Sequence, residues 1–212
     1  MNNHRRGDSD LHQVGDYYDN HRRYFDHNFE VTVVKIFSGD CYATNNADEM
    51  IVTILGSCIA ACIRDPLAGV AGMNHFLLPG DPSANPQQAC DAARYGAFAM
   101  EQLINQLLAL GAARHRLEVK LFGGGNVIDS HSMIGSKNIH FVKEFVTREG
   151  LHVAASDLGG ECPRRIHYFS KDGRVMMRKL QRRDDLRVVE TEKAYHATLN
   201  TKPLEGSIEL FG

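Results

Sequence analysis

Cys58 and His75 are the residues of this chain whose types and setting point to chemistry. Cys58 closes the run Gly56-Ser57-Cys58, directly after a β-rich stretch. Gly56 permits a tight turn there. A cysteine on such a turn can present its sulfur to a cleft, beside backbone N–H groups able to hold an oxyanion. His75 follows seventeen residues later, near the end of another apolar stretch. An imidazole within ~3 Å of a thiol populates the thiolate and makes it a nucleophile. It also draws the thiol down from its free value near ~8.5. The chemistry such a pair performs is acyl transfer: amide hydrolysis, peptide cleavage, or transfer of a thioester to an amine.

Each residue has a plainer reading. A cysteine in an apolar stretch is commonly a small buried hydrophobe, and a histidine among apolar residues is commonly a satisfied core group. Cys62, within the apolar residues 59–63, is read as core, and Cys41, Cys90 and Cys162 as structural or incidental. Cys58, Cys62 and His75 also form a C-x3-C-x12-H array. It lacks the paired close spacings of zinc sites, so neither a metal nor another cofactor is expected. The glycine run Gly123-Gly124-Gly125 has neither the lysine-serine ending nor the spacing of a phosphate loop, and reads as a tight turn with close packing.

The elements that must position the pair follow from pattern. Residues 31–36, 50–55, 59–63, 70–78 and 117–122 are strand candidates, rich in β-branched residues or alternating. A turn at Asp65-Pro66 between the third and fourth of these would bring Cys58 and His75 together. Residues 79–88 read as a loop. Residues 88–110 carry Met100, Leu103, Ile104, Leu107 and Leu108 at helical spacing, with Gly111 as the stop. A second helix is expected over 137–149, a strand over 151–155, and a hairpin of 166–169 with 175–177 around Asp172-Gly173. The sum is an α/β domain over residues 29–183. Residues 1–28, polar and holding four of the eleven histidines, read as a flexible arm. Residues 184–212 read as a C-terminal extension without a clear pattern.

Bulk properties agree with one globular domain. The 212 residues are 43% hydrophobic and 24% charged, with a net charge of −2. That balance does not call for nucleic acid or an anionic membrane. Five cysteines without a disulfide spacing, and no apolar signal core or long apolar run, imply a reduced, cytoplasmic protein without membrane insertion.

Several motifs together resemble one family. Leu55-Gly56-Ser57-Cys58, Asp65-Pro66 and Gly69-Val70-Ala71-Gly72-Met73-Asn74-His75-Phe76-Leu77-Leu78-Pro79 resemble the signature of the chemoreceptor glutamine deamidases, the CheD family. So do Lys120-Leu121-Phe122-Gly123-Gly124-Gly125-Asn126, the segment from Ile134-Gly135 through Asn138-Ile139, and Asp157-Leu158-Gly159-Gly160 with Arg164-Arg165. The resemblance runs in order over about residues 30–180. It implies an α/β sandwich of mixed β-sheet and helices, similar to the catalytic domain of toxins that deamidate small GTPases. It implies hydrolysis of particular glutamines on the cytoplasmic helices of methyl-accepting chemotaxis proteins, with Cys58 as nucleophile and His75 as base. Gly56 and Ser57 would help hold the oxyanion. The family also uses a threonine shortly before the cysteine. This chain offers Thr53, with Val52 standing one residue further out. In some bacteria the family also binds a CheC-type phosphatase. A monomer is the expected state.

Overall fold

The computed structural model describes residues 22–79, 86–127, 133–180 and 182–201. Ten strands and three α-helices occur among them. The strands form two five-stranded mixed sheets. The first has the order β1 (Arg23–Asp26), β2 (Val31–Lys35), β4 (Glu49–Leu55), β9 (Arg164–Phe169), β10 (Val175–Lys179). The second has the order β3 (Cys41–Thr44), β6 (Val70–Asn74), β5 (Ile59–Asp65), β7 (Glu118–Gly123), β8 (His152–Leu158). Helices α1 (Pro86–Ala109) and α2 (Ile134–Arg148) pack on the second sheet. The last helix, α3, spans Arg182–Thr201.

Strand alternation dictates this layering, since successive side chains point to opposite faces. Along β5, Ile59, Ala61 and Ile63 join the cluster under α1 and α2, while Ala60 and Cys62 face the gap between the sheets. Along β4, Ile51 and Leu55 enter that gap, while Met50, Val52 and Ile54 form a separate cluster on the other face of the first sheet. The result is a sheet–sheet–helix sandwich, as expected of an α/β class. Strands β4 and β5 carry apolar side chains on both faces because both of their faces are covered.

Two connections position the site. Between Leu55 and Ile59 the chain leaves the first sheet and enters the second, so Gly56, Ser57 and Cys58 are the crossing itself. β5 and β6 then pair antiparallel, with Asp65 opposite Val70, and return the chain to His75 beside that crossing. The Asp65 carboxylate pins the hairpin turn by accepting from the Leu67, Ala68 and Ala113 amides and from Arg116. The Arg116 guanidinium holds this carboxyl well below the usual carboxylate range.

Three elements differ from the sequence reading. Residues 1–21 of the expected arm lie outside the described residues, but Arg23–Asp26 pair with β2 as an edge strand. Four residues at an edge carry too little pattern to stand out. β3, equally short, pairs with β6. The extension past residue 183 contains helix α3. Of the loop expected over 79–88, residues 80–85 lie outside the described residues, and α1 begins at Pro86. The hairpin around Asp172-Gly173 forms as read, with Gly173 at φ 68°.

Candidate active site

Cys58, His75 and Thr53 come together between the sheets, all at most 3% exposed. Thr53 points inward because it lies two residues from both Ile51 and Leu55 on β4. Val52 necessarily points to the opposite face, into the outer cluster. A chain of hydrogen bonds sets the tautomer of His75. Thr53 Oγ1 donates to the Ile36 carbonyl at 2.9 Å. With its one proton placed there, Thr53 accepts from His75 Nδ1 at 2.7 Å. His75 Nε2 therefore carries the lone pair, and Ser38 Oγ donates to it at 3.0 Å. The same hydroxyl lies 3.6 Å from Cys58 Sγ. Ser38 thus bridges the thiol and the imidazole. Sequence reading missed it: a lone serine in a turn carries no spacing signal.

The second part of the site is a nest of amides. The N–H groups of Gly56, Ser57 and Cys58, joined by the Ser57 hydroxyl, face one small region that holds two oxygens. Across a trans peptide, C=O and N–H point in opposite directions. Fixing each carbonyl from behind therefore aims the next N–H forward. Gly125 N–H donates to the Gly56 carbonyl at 2.7 Å. Asn138 Nδ2 donates to the Ser57 carbonyl at 2.9 Å. Gly124 N–H donates to the Cys58 carbonyl at 2.8 Å, which fixes the exit from the crossing, where Ile59 N–H donates to the Phe76 carbonyl. The glycine run is therefore the brace of the nest, and its amides are not free for a phosphate. A side chain at Gly123, which sits at φ 115°, would drive its Cβ into the Cys58 carbonyl oxygen.

Asn138 is fully buried, and its Oδ1 also accepts from Leu78 N–H at 3.0 Å. It ties α2 both to the crossing and to the strand end after His75. Asn138→Ala leaves a buried amide and a buried carbonyl unpaired, at a cost of about 1–3 kcal/mol. Losing the aim of Cys58 N–H should also lower turnover by about 10- to 100-fold. Thermal unfolding and steady-state rates of the variant check both. An undiminished rate would remove Asn138 from the nest's support.

The nest is occupied by a side chain of this same protein. Glu192, on α3 and 3% exposed, places its carboxylate there. Oε1 accepts from Gly56 N at 2.8 Å and Cys58 N at 3.3 Å. Oε2 accepts from Ser57 N at 2.8 Å and Ser57 Oγ at 2.7 Å. Burial, and then the Glu192 charge, push the Cys58 thiol well above its ordinary value. Burial pushes His75 down to about 4, against the charges of Glu192 and Asp40. Near neutral pH, thiol and imidazole are both uncharged.

Cys58, His75 and Glu192 offer atoms within 4.8 Å of one another, which raises the question of a metal. The donor set argues against one. Four hydrogen-bond donors aim at the carboxylate's position, and the positive ends of those dipoles favour an anion there. Cys62, the other member of the sequence array, turns between the sheets and donates to Met73 Sδ. A cavity of about 260 Å³ is lined by His75 together with Tyr95, Phe98 and Tyr195.

Fold and site together define an α/β sandwich that sets a thiol and an imidazole beside an anion-binding nest, at a crossing between two sheets. The family model described as CheD chemotactic sensory transduction matches residues 77–179. A protein of Rhodopseudomonas palustris named probable chemoreceptor glutamine deamidase CheD is 51% identical over 91% of this chain and 91% of its own length. A protein of the same name from Saccharophagus degradans is 48% identical over 89% of each. This chain belongs to the CheD family. Among solved structures, a Neisseria meningitidis protein of family model DUF152 aligns with 65% of this chain and 62% of its own, at TM-score 0.36 and 9% identity.

Proposed function

We propose that this protein hydrolyses glutamine side chains of methyl-accepting chemotaxis receptors to glutamate, with Cys58 as nucleophile. The observation that carries this reading is the meeting of Cys58, the lone pair of His75 and a three-amide nest at one buried point. The names of the relatives supply the substrate class.

The steps follow from the geometry. The thiol proton of Cys58 passes to His75 Nε2, directly or through Ser38. Thr53 holds Nδ1–H and stabilises the imidazolium that forms. The thiolate attacks the carboxamide carbon. The amides of Gly56, Ser57 and Cys58 hold the developing oxyanion. His75 returns the proton to the leaving nitrogen, the C–N bond breaks, and ammonia departs. Water then adds to the thioester with the same imidazole as base. The cavity beside His75 has room for several waters, at about 30 Å³ each. Glutamate leaves, and the thiol recovers its proton.

The same reading includes the likeness to GTPase-deamidating toxins, supported by a Cys–His pair set on a mixed sandwich. It also carries a cytoplasmic location, a monomeric state and, as a second partner, a CheC-type phosphatase. No described helix is long and apolar enough to cross a membrane. The test is mass spectrometry of a receptor cytoplasmic fragment incubated with the full chain. Specific glutamine peptides should gain the mass of an NH2-to-OH exchange, with ammonia released and no chain cleavage. Unchanged peptides from several receptors would sink the reading.

A further inference from the structure

Cys58 is fully buried and Ser57 is 1% exposed, so the thiol and the nest are closed to solvent while the chain is arranged as described. What covers the nest is α3, and what α3 inserts is a glutamate. Hydrolysis of a glutamine leaves a glutamate side chain. Glu192 is therefore chemically the product of the proposed reaction, presented on a helix and held by the same four donors that would hold the reacting group.

We infer that α3 lies in the groove of the substrate helix, with Glu192 standing in for the product, so that α3 and the substrate compete for one site. This inference rests on the deamidase reading above.

The contacts of α3 describe the groove. Val188, Glu192, Tyr195 and Leu199 recur at spacings of four, three and four, which is one face of a helix. Val188 enters the outer apolar cluster of the first sheet. Tyr195 and Leu199 pack against the cluster between the sheets. The Tyr195 hydroxyl lies 2.7 Å from that of Tyr95 on α1, closing a latch between the two helices. The groove floor is glycine where the helix presses closest. A Cβ at Gly56 would meet the Glu192 carboxylate at 2.7 Å, and one at Gly39 would strike the Tyr195 hydroxyl. The groove therefore fits a helix that carries its glutamine on an apolar stripe, with an apolar residue four positions before it and larger ones three and seven positions after.

An occupant tethered in the same chain is present at high effective concentration. Loosening it should raise both access to the thiol and turnover, since apparent affinity scales with the open fraction. Two readouts test this on the full-length protein. Iodoacetamide labelling of Cys58 reports the withdrawal of α3 without any receptor. Receptor conversion reports competition. Glu192→Ala is expected to raise both by about tenfold. Tyr195→Phe, which removes the latch but leaves the nest untouched, is expected to raise both by a smaller factor. In Glu192→Gln, the carboxamide held over Cys58 should be converted in place. Its peptide should then gain the NH2-to-OH mass, and the gain should vanish when Cys58→Ala is added.

Loss of receptor conversion in Glu192→Ala would make Glu192 part of the reaction and overturn the inference. Wild-type rates of labelling and conversion in both Glu192→Ala and Tyr195→Phe would overturn it as well, while leaving the deamidase reading intact. Faster labelling in both, with no receptor converted by any form, would uphold α3 as the cover but overturn the shared groove together with the deamidase reading.

Discussion

Cys58→Ala should abolish conversion of receptor glutamines, by a factor on the order of 10^4–10^6. The size follows from the role. Without the sulfur there is no thioester, and the amide must be attacked by water directly, helped only by the nest. The nest itself should survive, because Gly125 and Asn138 aim the Ser57 and Cys58 N–H groups by holding the Gly56 and Ser57 carbonyls. The alanine also fits the space, since only Sγ is removed from a fully buried site. Circular dichroism and thermal unfolding should therefore resemble the wild type while mass spectrometry shows unmodified receptor peptides. A variant that still converts glutamine would move the nucleophile elsewhere. Among the other cysteines, Cys41 is half-buried with its thiol toward Gln106, Cys62 lies in the core, and Cys90 and Cys162 are exposed.

The second large effect is expected at His75. His75→Asn should lower turnover by about 10^2–10^4-fold, because the carboxamide cannot carry a proton between thiol and leaving group. A structural histidine would show no such loss, and near-normal rates would remove it from the mechanism. The same variant should also change how stability depends on pH. Burial holds the native imidazolium near 4, whereas the unfolded chain protonates near ~6.5. Between those values the unfolded state binds the extra proton. Wild-type stability therefore falls as pH drops from about 6.5 toward 4, and is unaffected by this group above that window. By pH 4 the contribution reaches about 3 kcal/mol. His75→Asn removes this slope. Urea unfolding at pH 7.5 and at pH 4.5 measures it as a difference of differences, which cancels the constant cost of the lost hydrogen bonds. Equal pH slopes in the two proteins would mean that the native imidazole is protonated as readily as in the unfolded chain.

The two partners most visible in the sequence, Cys58 and His75, lie only seventeen residues apart. They sit at the open end of one antiparallel hairpin, β5 with β6, which Asp65-Pro66 announces. Local pairing fixes register, and register alone returns His75 to Cys58. The long helix α1 and the core strands were legible for a related reason. Apolar spacing is repeated many times along each, so single exceptions do not hide it. Thr53 could be separated from Val52 only once the inner and outer faces of β4 were known, since the alternation of a strand buried on both sides carries no polarity to read.

The amino-acid sequence by itself determined the class of fold, the hairpin and the meeting of Cys58 with His75, because each is encoded within short stretches. Tertiary structure alone decided the environment that gives the pair its properties. Ser38 reaches Cys58 across 20 residues, Asn138 reaches Ser57 across 81, and Glu192 reaches Cys58 across 134. Each is a single polar residue used once, at the meeting of elements from different layers, so no period or spacing announces it. Glu192 shows the physical reason most clearly. A carboxylate on the buried face of α3 interrupts the apolar stripe of Val188, Tyr195 and Leu199, and makes a packed helix read as a polar tail. Only the amides of Gly56, Ser57 and Cys58, brought beneath it by the crossing between the sheets, make that burial favourable.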